Sequence, residues 1–205
     1  MKLIIASSNV HKIREMRVIL RKSPNFDLFS LMDFPSYVPL EETGLTFEEN
    51  AKTKAIHAAK SLNSWTIADD SGLVIPALHG VPGVFSARYA GPNATDKENR
   101  KKLLDEMKHL QEQYRDGYYE CCIALASPDG IQKIVSARCE GSLTEQERGG
   151  QGFGYDPIFK KHDYNKTFAE LEEEVKNQIS HRGKAMNKML LILETIAHQL
   201  ADIAP

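Results

Sequence analysis

Thr66-Ile67-Ala68-Asp69-Asp70-Ser71-Gly72-Leu73 is a short apolar run that stops at two adjacent carboxylates, followed by a small polar residue and a glycine. It reads as a buried strand that delivers acids to its end. Side chains on a strand alternate faces, so Asp69 and Asp70 point in opposite directions and are expected to do different jobs, while Gly72 permits a tight exit. Taken alone, the stretch reads first as a polar turn, because acidic residues and glycine are common turn formers. A second acidic pair lies upstream in Glu41-Glu42-Thr43-Gly44. Two such pairs are the makings of the oxygen cage that a hard divalent cation such as Mg²⁺ requires.

The rest of the composition sets bounds. The 205 residues suffice for one sizeable domain or two small lobes sharing a core, and 41% hydrophobic with 26% charged argues against disorder. The 26 basic and 28 acidic residues leave a net charge of -2, which points to neither nucleic acid nor an anionic membrane as partner. Any anion must be met locally. Cys121, Cys122 and Cys139 are too few for a disulfide framework, which fits a reducing cytoplasm. The apolar start at Met1–Ala6 is too brief for a signal sequence or a membrane span, so the expectation is a soluble, untargeted protein. With no linker or internal repeat, residues 1–205 are expected to form a single domain.

Leu3 to Ala6 predicts a buried strand, and Ser7-Ser8-Asn9 a turn or N-cap before a helix carrying Ile13, Met16 and Leu20. Ser8, Asn9 and Lys12 at that helix start form either an ordinary capped helix or a phosphate grip. Phe26–Leu31 predicts a second strand, residues 34–44 a loop, and Phe47–Leu62 a helix through Ala51, Ala55, Ala58 and Leu62, with Lys54 on it. Leu73–Ile75 reads as a further short strand, residues 79–92 as a long loop with Arg88 as surface charge or clamp, and Thr95 as the start of a helix bearing Leu103, Leu104, Met107 and Leu110. Tyr118–Ala126 and Ile131–Cys139 predict a hairpin about Pro128-Asp129-Gly130.

Gly149-Gly150-Gln151-Gly152-Phe153-Gly154 contains a dinucleotide-type glycine pattern, but Pro157 follows too soon for the helix that such a fingerprint opens. A mobile glycine loop ending in Phe153-Gly154-Tyr155-Asp156-Pro157 fits better. It combines a ring, a phenol and a carboxylate, and is either a base-binding edge or an aromatic anchor of the loop. Lys176 and Ile179-Ser180-His181-Arg182-Gly183-Lys184 precede a terminal helix with Met186, Met189, Leu190, Leu193, Ile196 and Leu200 on its buried side. That cationic approach is a solvated helix start or an anion site. Walker, zinc-protease, Cys-x-x-Cys and nucleophile-elbow patterns are missing.

In this order the pieces resemble the inosine/xanthosine triphosphate pyrophosphatase, or Ham1-like, family. The resemblance rests on Ser7–Lys12, Glu41–Phe47 with Glu49-Asn50-Ala51, Ala68–Leu73, Pro82-Gly83 with Ser86–Tyr89, Gly152–Pro157 and Ser180–Gly183. Where this chain has Ser7 and Ser8, family members usually have threonine and glycine, and often glycine in place of His11. The resemblance implies an elongated α/β fold with a mixed central sheet, two lobes with the cleft between them, and a homodimer. It also implies Mg²⁺-dependent hydrolysis of ITP, dITP and XTP to the monophosphate and pyrophosphate.

By the same resemblance Asp70 is the general base and a metal contact, and Glu41 the second metal ligand, with Glu42 an alternative. Asp69 tunes the site from behind. Lys12, Lys54 and Lys176 hold the polyphosphate with the segment Ser7, Ser8, Asn9, Val10 and His11. Phe153 stacks on the base, while the Tyr155-Asp156 backbone with His181 and Arg182 addresses its 6-oxo edge, and Ser71 and Gly154 complete the substrate contacts. Attack of water on the α-phosphorus needs charge neutralisation and a proton acceptor, which this set provides. The same metal and lysine chemistry also suits a phosphatase releasing orthophosphate, and the base contacts alone would suit a nucleotide sensor.

Overall fold

The computed structural model describes residues 1–203, with side chains through residue 202, so the last two residues of the expected domain lie outside the described residues. The chain is mixed α/β, with a six-stranded sheet of order β2-β1-β3-β4-β5-β6. Its strands are β1 (Lys2–Ile5), β2 (Asp27–Ser30), β3 (Trp65–Val74), β4 (Asp116–Ser127), β5 (Gly130–Leu143) and β6 (Phe159–Lys161). The helices are α1 (Val10–Leu20), α2 (Phe47–Ser61), α3 (Asp96–Glu106), α4 (Glu173–Ile179) and α5 (His181–Ile203). β1 pairs in parallel with β2 and β3, and β5 pairs antiparallel with β6. β4 and β5 are neighbours joined only through Pro128-Asp129, a connection that permits nothing but an antiparallel hairpin.

Two compact units make up the chain. The first comprises Met1–Asp70, Cys121–Ala137 and residues 182 onward. Period-two alternation sorts its strand residues between two cores. Leu3, Ile5, Ile67, Cys121, Ile123 and Leu125 pack with Ile13, Met16 and Leu20 of α1 and with Met186, Met189 and Leu193 of α5. Ala68, Cys122, Ala124 and Ala126 face the other way, against Ala51, Ala55, Ala58 and Ala59 of α2. An alanine face on both sides lets helix and sheet approach closely, and a Thr46–Glu49 capping box fixes where α2 starts.

The strand at Asp69-Asp70 does not end there. β3 continues unbroken through Ser71 and Gly72 to Val74 and absorbs the separately expected strand at 73–75. Both acids find partners on neighbouring helices, described below, so the backbone has no need to turn out to water.

The second unit comprises Ser71–Glu120 and Arg138–His181, around Leu73, Ile75, Leu103, Met107, Tyr119, Phe159 and Phe168. Phe159 and Phe168 meet edge to face with centroids 4.9 Å apart. Thr95 caps α3 as expected, but the helix stops at Glu106, so Met107 is its C-cap and Leu110 lies beyond it. The long loop at 79–92 contains a 3₁₀ turn, Gly83–Arg88, within which Arg88 packs over the Phe85 ring. No helix among the described residues is long and apolar enough to cross a membrane.

Candidate active site

Adjacent positions on β3 give the two aspartates opposite surroundings. Asp69 shares the face of Ile67, towards α1 and α5, and is 1% exposed. Its Oδ2 lies 3.1 Å from Lys12 Nζ and accepts from Arg182 Nε and Nη2 at 3.3 Å each. Arg182 Nη1 also donates to Glu15, a buried residue of α1. Burial opposes ionisation of Asp69, but Lys12, Arg182 and Lys54 outweigh it and hold the carboxyl well below the usual carboxylate range. Asp69 is thus a permanent anion at the centre of a buried ion cluster.

Asp70 shares the face of Ala68, towards α2. The Asn50 amide donates to its Oδ2 at 2.9 Å, and Lys54 Nζ lies 3.9 Å from its Oδ1. Asn50 and Lys54 stand four residues apart, hence on one face of α2. The same Lys54 ammonium sits 2.6 Å from Glu42 Oε1. Here burial prevails: it raises the Asp70 carboxyl, against the pull of Lys54 and Lys12 and with the help of the negative Glu42. Neighbouring carboxyls pushed apart in this way are suited to different roles, with Asp70 the better proton acceptor.

Asn50 was not foreseen as a site residue. It is 2% exposed, and while its amide holds Asp70, its Oδ1 accepts the Gly44 N–H at 2.8 Å. A Cβ on Gly44 would stand 2.5 Å from that oxygen, so only glycine fits. The signal was in the sequence as an asparagine one turn before Lys54, but an amide on an alanine-rich helix does not announce a partner.

Among the paired upstream acids, the structure puts Glu42 in contact with Lys54, whereas Glu41, the expected ligand, is exposed. Successive side chains of an extended segment diverge, so one acid of the pair turns in and the other out. The residues present fit a divalent cation. Lys12, Lys54 and Arg182 face Glu15, Glu42, Asp69 and Asp70, three cations against four carboxylates. An ammonium also already lies between Glu42 and Asp70. No cluster of three or more His, Cys, Asp or Glu side chains able to hold a metal occurs among the described residues, so remaining ligands would come from phosphate and water.

At the start of α1, Asn9 is the N-cap and its Oδ1 accepts from the His11 and Lys12 amides at 3.0 and 3.2 Å. Ser7 is half-buried and Ser8, Asn9, Val10 and His11 are exposed, leaving this helix start open to solvent beside the Lys12–Asp69 pair.

The aromatic segment lies in the second unit, where several of the expected site residues have protein partners. The glycine loop is tethered at several points: Gln151 N–H reaches the Ala169 carbonyl, Phe153 N–H reaches Asp156 Oδ2 at 2.9 Å, and Arg148 N–H the Pro157 carbonyl. Lys176, expected on the polyphosphate, is buried and pairs with Asp156 Oδ2 at 2.6 Å, its ammonium 4.7 Å from the Phe153 ring centre. A buried ammonium requires a nearby counter-charge, and Asp156 supplies it. The Tyr155 phenol is spent on the Ser86 carbonyl, and both peptide groups of Gly154 are held by α3. His181 is buried flat against Tyr119, with centroids 4.5 Å apart. Arg182, expected at the base edge, belongs to the buried cluster with Asp69 and Glu15. Phe153 itself remains half-buried and Ser71 likewise.

A mixed-sheet α/β fold with a buried carboxylate beside two lysines and an open helix start defines a protein built to handle a phosphorylated anion. The chain belongs to the Ham1 family, whose model matches residues 3–192. It is 54% identical over 197 residues to the dITP/XTP pyrophosphatase of Chlamydia trachomatis serovar D, covering 96% of this chain and 94% of that one. The protein of the same name from Protochlamydia amoebophila is 52% identical, over 96% and 99% of the two chains. Among solved structures, a HAM1 protein from Coxiella burnetii is similar with a TM-score of 0.86 at 41% identity, over 95% of this chain and 99% of that one. The Staphylococcus aureus Ham1 protein gives 0.84 at 41% identity, with the same coverage.

Proposed function

We propose that this chain is a Mg²⁺-dependent nucleoside triphosphate pyrophosphatase acting on dITP, ITP and XTP. Water attacks the α-phosphorus, and the products are the nucleoside monophosphate and pyrophosphate. The observation that carries the reading is Asp70, a buried carboxyl of raised proton affinity held between Asn50, Lys54 and Glu42. The relatives named for dITP and XTP supply the substrate class.

Asp70 takes the proton from the attacking water, and burial, by raising its proton affinity, makes it the stronger base of the two aspartates. Lys54 and Lys12, together with the exposed start of α1, bind the polyphosphate oxygens. Asp70 and Glu42 would hold the cation, which when bound neutralises phosphate charge and acidifies water. Asp69 keeps Lys12 in place, and Phe153 offers a ring face to the purine. The reading takes residues 1–205 as a single domain, assembled as a homodimer and working in the cytoplasm on free nucleotides, without nucleic acid or membrane partners. The near-neutral charge of -2 supports a small-molecule substrate over a polyanion.

The test is product identification. Incubated with Mg²⁺ and dITP, XTP, ITP, ATP or GTP, the protein should release pyrophosphate and monophosphate from the first three and little from the last two. Orthophosphate and the diphosphate as products would make it a phosphatase instead.

The choice between the two upstream acids has its own measurement. Glu42→Gln should raise the Mg²⁺ concentration for half-maximal activity by roughly tenfold, on the scale of 10–100-fold losses when a metal site's supporting groups are removed. Glu41→Gln should leave the titration in place. The reverse pattern would return the metal to Glu41.

A further inference from the structure

Both polar groups of Gly154 are grasped by one face of α3. Its N–H donates to Asp96 Oδ2 at 2.7 Å, and its carbonyl accepts from Arg100 Nη1 at 2.7 Å. Asp96 and Arg100 are four residues apart, so they project side by side from consecutive turns. Gly154 has φ of 60°, the left-handed region, which directs the chain sharply after Phe153. Arg100 extends the hold to Glu147 on the far side of the glycine loop, with Nε 3.0 Å from Oε1. Residues 145–152 are exposed, yet the segment that follows them is fixed on every side: Asp156 holds the Phe153 amide, Tyr155 holds Ser86, and α3 holds Gly154.

We propose that Asp96 and Arg100 are positioning residues for substrate selectivity: their paired grip on Gly154 sets the one orientation in which Phe153 presents its ring to a purine base. The inference rests on the pyrophosphatase reading for its substrate and on the geometry alone for the grip. A ring on a four-residue turn swings freely unless the peptide beside it is pinned, and a ring that must be ordered at each binding event loses affinity to that ordering. Charge-assisted hydrogen bonds to both ends of one residue provide the pin. Neither side chain is placed to reach the reacting phosphates by anything in its own contacts, so the effect belongs to KM and base choice rather than to turnover.

The variants are Asp96→Ala, Asp96→Asn, Arg100→Met and Arg100→Lys, compared with the unaltered protein. Asp96→Ala and Arg100→Met should raise KM for dITP about tenfold, the scale of one lost charge-assisted hydrogen bond, with kcat within about twofold and the dITP-to-dATP ratio of kcat/KM reduced. Asp96→Asn keeps an acceptor and should stay within about threefold of the unaltered KM, which separates the hydrogen bond from the charge that Asp96 brings to the start of α3. Trypsin supplies a readout independent of catalysis, because Arg148 lies in the exposed part of the loop. Cleavage after Arg148 should quicken about tenfold in Asp96→Ala and Arg100→Met and little in the two conservative variants. Unchanged KM and base ratio, unchanged cleavage, or an asparagine variant as impaired as the alanine one would each overturn the proposal. If the unaltered protein releases no pyrophosphate from dITP, the functional reading fails, while the trypsin comparison still decides whether α3 pins the loop.

Discussion

Asp70→Asn should abolish nearly all turnover and at the same time leave the protein more stable at neutral pH. The amide keeps the shape of the carboxyl and can still accept from Asn50, but it is neither a base nor an anion. Loss of a positioned general base alone lowers kcat by roughly 10²–10⁴, and loss of a metal contact adds to that. The stability change has a defined sign. Burial raises the Asp70 carboxyl in the folded chain above its ordinary value of 3.8, so ionised Asp70 opposes folding at neutral pH. That penalty is absent below the unfolded value, grows as pH rises towards the folded value, and is complete above it. The melting temperature of Asp70→Asn should therefore exceed that of the unaltered protein at pH 7–8 and converge with it below about pH 4. Near-normal turnover would remove Asp70 from the chemistry. A variant destabilised at pH 7–8, with the loss shrinking on acidification, would show that the carboxylate is a structural anion like Asp69.

How much of this was legible in the residues depends on what kind of signal each carried. Alternation around Ile67-Ala68-Asp69-Asp70 foretold two aspartates with different partners, and the structure sends one to α1 and α5 and the other to α2. The helix starts at Asn9 and Thr95 were equally readable, because local hydrogen bonds set them. The length of β3 was not, since acids and glycine mark a turn only when water is their best partner, and here Asn50, Lys12 and Arg182 are better ones. Lys176 and Arg182 look in sequence like exposed cations at a helix start, and long-range pairing turned both into buried counter-ions. Glu41 and Glu42 differ by which side of an extended segment faces in, and nothing local decides that. Asp96 and Arg100 were invisible for the same reason, each acting on backbone far from it along the chain, while Asn50 stood in a quoted motif without showing its partners.

Arg182 carries the other large effect. A guanidinium that reads a base would be dispensable for folding, and its loss would fall on selectivity. Arg182 instead is 2% exposed and joins Glu15 of α1 to Asp69 of β3 from the first turn of α5. Removing one member of such a cluster leaves the remaining charges buried without compensation, which costs about 3–5 kcal/mol. For a chain of this size that lowers the melting temperature by roughly 6–20 °C. Arg182→Met, which keeps much of the volume, should show this loss at neutral pH. Asp69 is held below its ordinary value in part by Arg182, so the stability it contributes is present above about pH 4 and is lost as pH falls through its folded value. The gap between Arg182→Met and the unaltered protein should accordingly narrow on acidification, as the orphaned carboxyl of Asp69 takes up a proton. Adding Glu15→Gln to Arg182→Met should recover part of the loss, because it removes one of the stranded anions. Activity towards dITP and ATP should fall in parallel, with no change in their ratio. A variant that melts within a degree of the unaltered protein while losing its preference for dITP would put Arg182 back at the base edge, with its pairing to Asp69 and Glu15 only a resting position.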